Sequence, residues 1–181
     1  MAPTSSRTDD FKIQYWDSCL FIMFLMNKVE DAAKIGIIQA LLQLAEGGKL
    51  RIVVSNLVLA EVRSREEHDE EHRRICDELF NTNRPYMQFY GVSRNIALRA
   101  RDIGSQFNRI TVPDAIHIAT AIEASVDAFL TYDGDSDRKN RRSGRLLAFD
   151  GQIGSPPLKI QVPVMDYGPM FELASAPEAN E

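Results

Sequence analysis

Cysteine is scarce in this chain. Of 181 residues only Cys19 and Cys76 are cysteine, and they lie far apart with no metal-ligand spacing between them. One pair in a chain of this size does not describe a secreted disulfide scaffold. Long apolar runs are lacking too: the stretch from Cys19 to Met26 is far short of the roughly 20 residues needed to span a bilayer. The opening residues, Met1 to Asp10, are polar and end on two acids, which is not the pattern of a secretory signal. A cytoplasmic protein is the expectation. Positive charge is in the minority, with 21 Lys and Arg against 26 Asp and Glu and a net charge of -5. That balance argues against a module that holds duplex nucleic acid by its overall field. It leaves open a protein that meets nucleic acid locally, or whose own carboxylates are neutralised by metal.

What is present describes a soluble α/β domain. Hydrophobic residues make up 44% and charged residues 26%, enough for a substantial core. No internal repeat or linker is visible, so the expectation is a flexible leader over 1–10, one domain over 11–165 and a loosely ordered Pro-, Ala- and Glu-rich tail over 166–181. Phe11 to Trp16 reads as a strand. From Leu20 the pattern turns helical, and Glu30 to Glu46 keeps apolar residues at three- and four-residue intervals until Gly47-Gly48 ends the run. Arg51 to Ser55 is rich in β-branched residues and predicts a buried strand. Leu57 to Arg63 predicts a helix running on through a highly charged stretch to Arg74. Met87 to Val92 is the next strand, and Ser93 can cap a helix with Ile96, Ala97, Ala100, Ile103 and Phe107 on one face. Thr111-Val112-Pro113-Asp114 opens another helix with proline in its first turn. Ala128 to Tyr132 and Leu158 to Val162 complete the strands. Strands alternating with helices predict a central parallel sheet covered on both faces.

Ligands of open α/β sheets bind beyond the carboxyl ends of the strands. Asp17 and Asp133 fall at such ends, and Glu61 lies in the first turns of the helix that leaves another. Asp114 also opens a helix, but the element before it is helical, so its side of the sheet is open. Clustered carboxylates raise one another's pKa unless a cation neutralises them, and hard divalent ions prefer such oxygen donors. An ion held there can activate a water and neutralise charge on a phosphodiester. Alternatively, acids at helix N-termini only complement the helix dipole. Position alone does not separate the two readings. A phosphatase with a nucleophilic first aspartate needs a second one two residues on, where Cys19 stands. A receiver domain needs a lysine at the end of the last strand, whereas Lys159 is at its start.

The motifs carry more. Tyr15-Trp16-Asp17-Ser18-Cys19-Leu20-Phe21-Ile22 resembles the opening aspartate strand of PIN domains, although Trp16 is bulkier than the usual aliphatic residue there. Ser55-Asn56-Leu57-Val58-Leu59-Ala60-Glu61-Val62 is similar to their glutamate motif. Pro113-Asp114-Ala115-Ile116-His117-Ile118-Ala119-Thr120-Ala121 is similar to the third motif, and Phe129-Leu130-Thr131-Tyr132-Asp133 to the fourth. All four stand in the family's order, and the resemblance spans roughly residues 11 to 165. It implies a three-layer PIN-like fold of the VapC type, a Mg²⁺- or Mn²⁺-dependent endoribonuclease acting on RNA, and a homodimer. In many members it also implies a toxin silenced by a cognate antitoxin. The resemblance makes Asp17, Glu61 and Asp114 the core metal ligands, with Asp133 a fourth acid that helps place metal or water. Ser18 and Thr131 match small hydroxyl positions that support these acids, and Asp135 is an alternative or assistant to Asp133. The choice between RNA and DNA, and between an active nuclease and a catalytically silent PIN-like interaction module, stays open.

Weaker signals have plainer explanations beside them. His68-Asp69-Glu70-Glu71-His72 matches a zinc-peptidase spacing, but a solvated helix with alternating charges explains it better. Arg138, Lys139, Arg141, Arg142 and Arg145 either hold RNA phosphates beside the acids or form a solvated loop. His117, one turn after Asp114, either faces the site or is a packed, satisfied histidine. Cys19 lacks a paired base and reads as packing rather than nucleophile.

Overall fold

The structure is a computed structural model and describes residues 12–62, 70–81, 83–135 and 145–165. The expected leader, the tail and the cluster Arg138, Lys139, Arg141 and Arg142 lie outside the described residues, as do the first two residues of the zinc-like motif.

Five strands make one parallel sheet in the order β3-β2-β1-β4-β5. They are β1 (Lys12–Trp16), β2 (Leu50–Ser55), β3 (Met87–Tyr90), β4 (Ala128–Leu130) and β5 (Ile160–Gln161). Parallel strands need crossovers, and helices supply them: α1 (Ser18–Met26) and α2 (Ala32–Glu46) between β1 and β2, α3 (Leu57–Glu61) and α4 (Glu70–Asn81) between β2 and β3, α5 (Arg94–Gln106) and α6 (Val112–Glu123) between β3 and β4. Successive strand side chains point to opposite faces, and here both faces are apolar. Trp16, Ile52, Val54, Ala128 and Leu130 pack with α1, α2 and α4. Tyr15, Val53 and Phe129 pack on the other side with α5 and α6. The result is three layers.

Several expectations change at their edges. The helix expected from Leu57 through Arg74 is two helices: α3 ends at Glu61, where Val62 turns out to φ -81°, ψ 88°. The second, α4, runs past Arg74 to Asn81. Its anchors are Ile75, Leu79 and Phe80, just beyond the charged stretch, and Phe80 packs on Phe21 with ring centroids 5.3 Å apart. The helix expected from Glu30 begins as a 3₁₀ turn over Val29–Asp31 before α2. Ala97 is exposed, so the buried stripe of α5 is Ile96, Ala100 and Ile103. Its Ser93 cap is as expected, accepting the Ile96 N–H at 3.2 Å. Strand β4 ends at Leu130; the Thr131 N–H still reaches Gln161 O of β5 at 3.0 Å, while its hydroxyl serves the site below.

The two apolar layers should dominate stability. Ile38 in α2 is 1% exposed, whereas Val29 is 90% exposed. Ile38→Ala is expected to cost about 2–5 kcal/mol in urea unfolding, and Val29→Ala within about 0.5 kcal/mol of nothing. Equal effects would contradict this packing.

Candidate active site

Strand order reverses direction of travel between β1 and β4, and the crevice beyond their carboxyl ends is where open α/β sheets place ligands. Asp17 is the first residue past β1. Its backbone N–H donates to Leu130 O at 3.1 Å, extending the β1–β4 pairing by one bond. Its side chain caps α1, accepting the Ser18 N–H at 2.7 Å on Oδ1. Thr131 Oγ1 donates to Asp17 Oδ2 at 2.7 Å and accepts the Asp133 N–H at 2.9 Å. One hydroxyl thus ties the first acid to the loop that carries the fourth. Asp17 is only 5% exposed, so these donors offset much of the cost of burying its charge.

Asp133 begins a tight turn. Gly134 follows at φ +105°, and a Cβ there would sit 2.8 Å from Arg145 Cβ, so only glycine fits. The turn brings the Leu146 N–H to Asp133 Oδ2 at 3.2 Å. Asp114 is set by a capping box at the start of α6: its N–H donates to Thr111 Oγ1 at 3.3 Å, and its Oδ2 accepts from the Thr111 hydroxyl at 2.6 Å. Glu61 closes the short α3, whose Val58 is fully buried. His117 Nε2 lies 2.8 Å from Glu61 Oε2.

Asp17, Ser18, Glu61, Asp114 and Asp133 line one cleft of about 730 Å³. The open question of side for Asp114 is thereby answered: it shares the rim with the others. Thr131 stands behind Asp17. Asp135 turns to Lys34, whose Nζ it meets at 2.5 Å and which also lies 4.7 Å from the Tyr132 ring centroid. The cleft therefore presents Asp133, and Asp135 braces the loop against α2. His117 combines both sequence readings: at 1% exposure it is packed, and it reaches a cleft acid. Cys19 hydrogen-bonds Thr131 and takes the Tyr132 N–H at 3.2 Å; burial first, then the Asp17 charge, pushes its thiol well above the ordinary value. It stays a protonated packing thiol.

The electrostatics of the acids differ. Burial, and then the charges of Asp17 and Asp133, raise the Asp114 carboxyl against the opposing Thr111 hydrogen bonds. For Glu61 burial acts upward, but the hydrogen bond and charge of His117, with a bond from Ser18, outweigh it and hold the carboxyl below its usual value. The donors are all hard oxygens, and Asp114 carries an excess of negative potential, which together suit a divalent cation. Among the described residues, no three His, Cys, Asp or Glu side chains converge tightly enough to ligate one ion.

Two contributors carry no role in the sequence reading: Tyr15, whose hydroxyl reaches His117, and Thr111, which steadies Asp114. A tyrosine inside an apolar strand is itself a signal, because a buried phenol needs a partner. A threonine three residues before an acid at a helix start is another.

A parallel, two-sided sheet with acids at its switch point defines an open α/β protein with a carboxylate-lined cleft. Residues 15–142 match the PIN domain family, and the chain belongs to that family. Solved structures with a similar fold include VapBC2 from Rickettsia felis bound to a promoter DNA fragment, at 14% identity, TM-score 0.50, and coverage of 68% of this chain and 89% of that one. A toxin–antitoxin complex from Klebsiella pneumoniae is 18% identical at TM-score 0.47, covering 72% of this chain and 95% of that one. FitAcB from Neisseria gonorrhoeae is 15% identical at TM-score 0.48, covering 66% and 87%. No curated protein sequence matches the chain. At these identities the likeness is one of fold. No helix among the described residues is long and apolar enough to cross a membrane.

The raised carboxyl of Asp114 gives a signed expectation. A folded-state value above the unfolded one favours the protonated form, so the group's contribution is fully present below the unfolded pKa and is lost as pH rises through the folded one. Asp114→Asn removes that loss while keeping an oxygen for Thr111. In EDTA at pH 7 the variant should melt higher by roughly 2–4 °C, and near pH 3 the difference should vanish. A lower midpoint at pH 7 would contradict the crowding of the acids.

Proposed function

We propose that this chain is a metal-dependent endoribonuclease that hydrolyses RNA phosphodiesters in the Asp17–Glu61–Asp114–Asp133 cleft. The observation that carries this reading is the gathering of four carboxylates from four separate chain segments into one cleft at the switch point of a PIN fold. A fold has no need to crowd acids there, and burial first, then the charges of Asp17 and Asp133, raise Asp114.

Asp17, Glu61 and Asp114 are the residues that would hold Mg²⁺ or Mn²⁺, with Asp133 assisting. When bound, such an ion supplies a water of lowered pKa and charge neutralisation for the phosphodiester. The chain's own part is orientation. Ser18 and Thr131 grip both oxygens of Asp17, the Thr111 cap fixes Asp114, and the Gly134 turn presents Asp133. Lys28 on the rim of the same cleft offers a cation for a phosphate beyond the acids. The basic cluster Arg138, Lys139, Arg141 and Arg142 would extend that contact along the RNA. Two further parts of the reading rest on the family alone: assembly as a homodimer, and control by a cognate antitoxin in a toxin–antitoxin pair, both inside the cytoplasm.

The test is cleavage of a labelled structured RNA with Mg²⁺ or Mn²⁺, with EDTA, and by an Asp17→Asn plus Asp114→Asn variant. Activity should require metal and fall by on the order of 10²-fold or more in the variant. Cutting that survives the double change would remove the site assignment, and no cutting together with no Mn²⁺ binding would favour the silent interaction module. A labelled single-stranded DNA in the same assay separates the two nucleic acids. Thr131→Val, which strips the bond to Asp17 Oδ2 and keeps the shape, should weaken Mn²⁺ binding about 10–100-fold in calorimetry. Unchanged affinity would place the ion away from Asp17.

A further inference from the structure

Beneath the cleft a chain of buried polar groups crosses from the sheet to α6. The Ser55 N–H donates to the Tyr15 hydroxyl at 3.0 Å, that hydroxyl lies 2.6 Å from His117 Nδ1, and His117 Nε2 lies 2.8 Å from Glu61 Oε2. Ser55 and Tyr15 are fully buried and His117 is 1% exposed. Tyr15 cannot swing away: its ring stacks on Phe129 at 4.9 Å with planes 12° apart, and β1 holds its backbone between β2 and β4.

Counting protons gives the chain a direction. A backbone N–H can only donate, so the Tyr15 oxygen accepts from Ser55 and its single proton goes to His117 Nδ1. At the other end the Glu61 carboxylate can only accept, so the hydrogen between the ring and Oε2 belongs to His117 Nε2.

We propose that Ser55, Tyr15 and His117 form a one-way hydrogen-bond relay that orients the Glu61 carboxylate in the cleft, with Tyr15 and His117 as positioning residues. Glu61 needs such help more than the other acids. Asp17 is held at one oxygen by the Ser18 N–H and at the other by the Thr131 hydroxyl, and Asp114 by its Thr111 cap, whereas Glu61 is the longer side chain at the last residue of a five-residue helix. The relay fixes Oε2 from below. It couples the acid to the sheet, through the end of β2 and the middle of β1, so the glutamate moves only if the core does.

This inference rests on the metal-dependent reading of the cleft, and two measurements made without RNA separate it from cleavage itself. Long-range ¹H–¹⁵N NMR of the full chain should show His117 protonated on Nε2, with mixed tautomers in Tyr15→Phe. Calorimetry with Mn²⁺ alone should show about 10–100-fold weaker binding in Tyr15→Phe. If that variant does not fold, His117→Gln, which keeps an N–H for Glu61, should bind Mn²⁺ at least about tenfold more tightly than His117→Leu, which has none. Protonation on Nδ1 in the unaltered protein, unchanged Mn²⁺ affinity in Tyr15→Phe, or equal affinity in the two His117 variants would each overturn the relay. So would an unaltered protein that binds no Mn²⁺, and then the metal reading falls with it. Relay-dependent Mn²⁺ binding without RNA cleavage would support the relay and remove only the nuclease.

Discussion

Strand β1 is hydrogen-bonded along both edges, to β2 and to β4, and the cleft depends on that central seat. Because both neighbours run parallel to it, the carboxyl ends of all three open on one rim. The first residue beyond β1 is Asp17, whose N–H still belongs to the ladder through Leu130 O. Its carboxylate is therefore placed by the sheet rather than by a loop. Thr131 leaves β4 at the same level and joins Asp17 to the Asp133 turn. The two faces of β1 divide the remaining labour: Trp16 anchors the α1–α2 layer, and Tyr15, one residue away and pointing oppositely, carries the bond to His117.

The site and the core pull in different directions. Asp114 is raised by burial and by Asp17 and Asp133, a local cost to folding that a packed domain without a ligand would avoid. The same region is rich in donors aimed at single carboxylate oxygens: the Ser18 N–H, the Thr131 and Thr111 hydroxyls, the Leu146 N–H and His117 Nε2. None of these is a lysine or arginine. The hydroxyl and backbone donors fix a carboxylate's direction while leaving its charge for a cation, an arrangement that would suit a metal site. The nearby lysine that does make an ion pair, Lys34, is spent on Asp135.

Much of the architecture was legible along the chain. The β-branched run around Val53, the glycine stop after Glu46, the Ser93 cap and the proline in the first turn of α6 are local signals, and each marks an element that forms. Where expectation and structure part, the missing information was not local. The charged stretch before Arg74 hid a helix whose anchors, Ile75, Leu79 and Phe80, are apolar only in a pattern completed by Phe21 from another layer. Ala97 has the right spacing for the α5 stripe but is exposed. Asp133 and Asp135 share a loop and a residue type, and only the turn at Gly134 and the reach of Lys34 send them to different sides.

By itself, then, the sequence determined the alternation of strand and helix, the burial of both sheet faces and the identity and order of the acids. These follow from side-chain period and from backbone preferences that act within a few residues. The tertiary structure decided that Asp114 shares a cleft with Asp17, that Asp135 does not, and that a tyrosine in β1 and a histidine in α6 stand behind Glu61. Such pairings join residues separated by as many as 102 and 114 positions. No short-range preference specifies them; they arise when the packing of two apolar layers brings distant backbone ends to one rim.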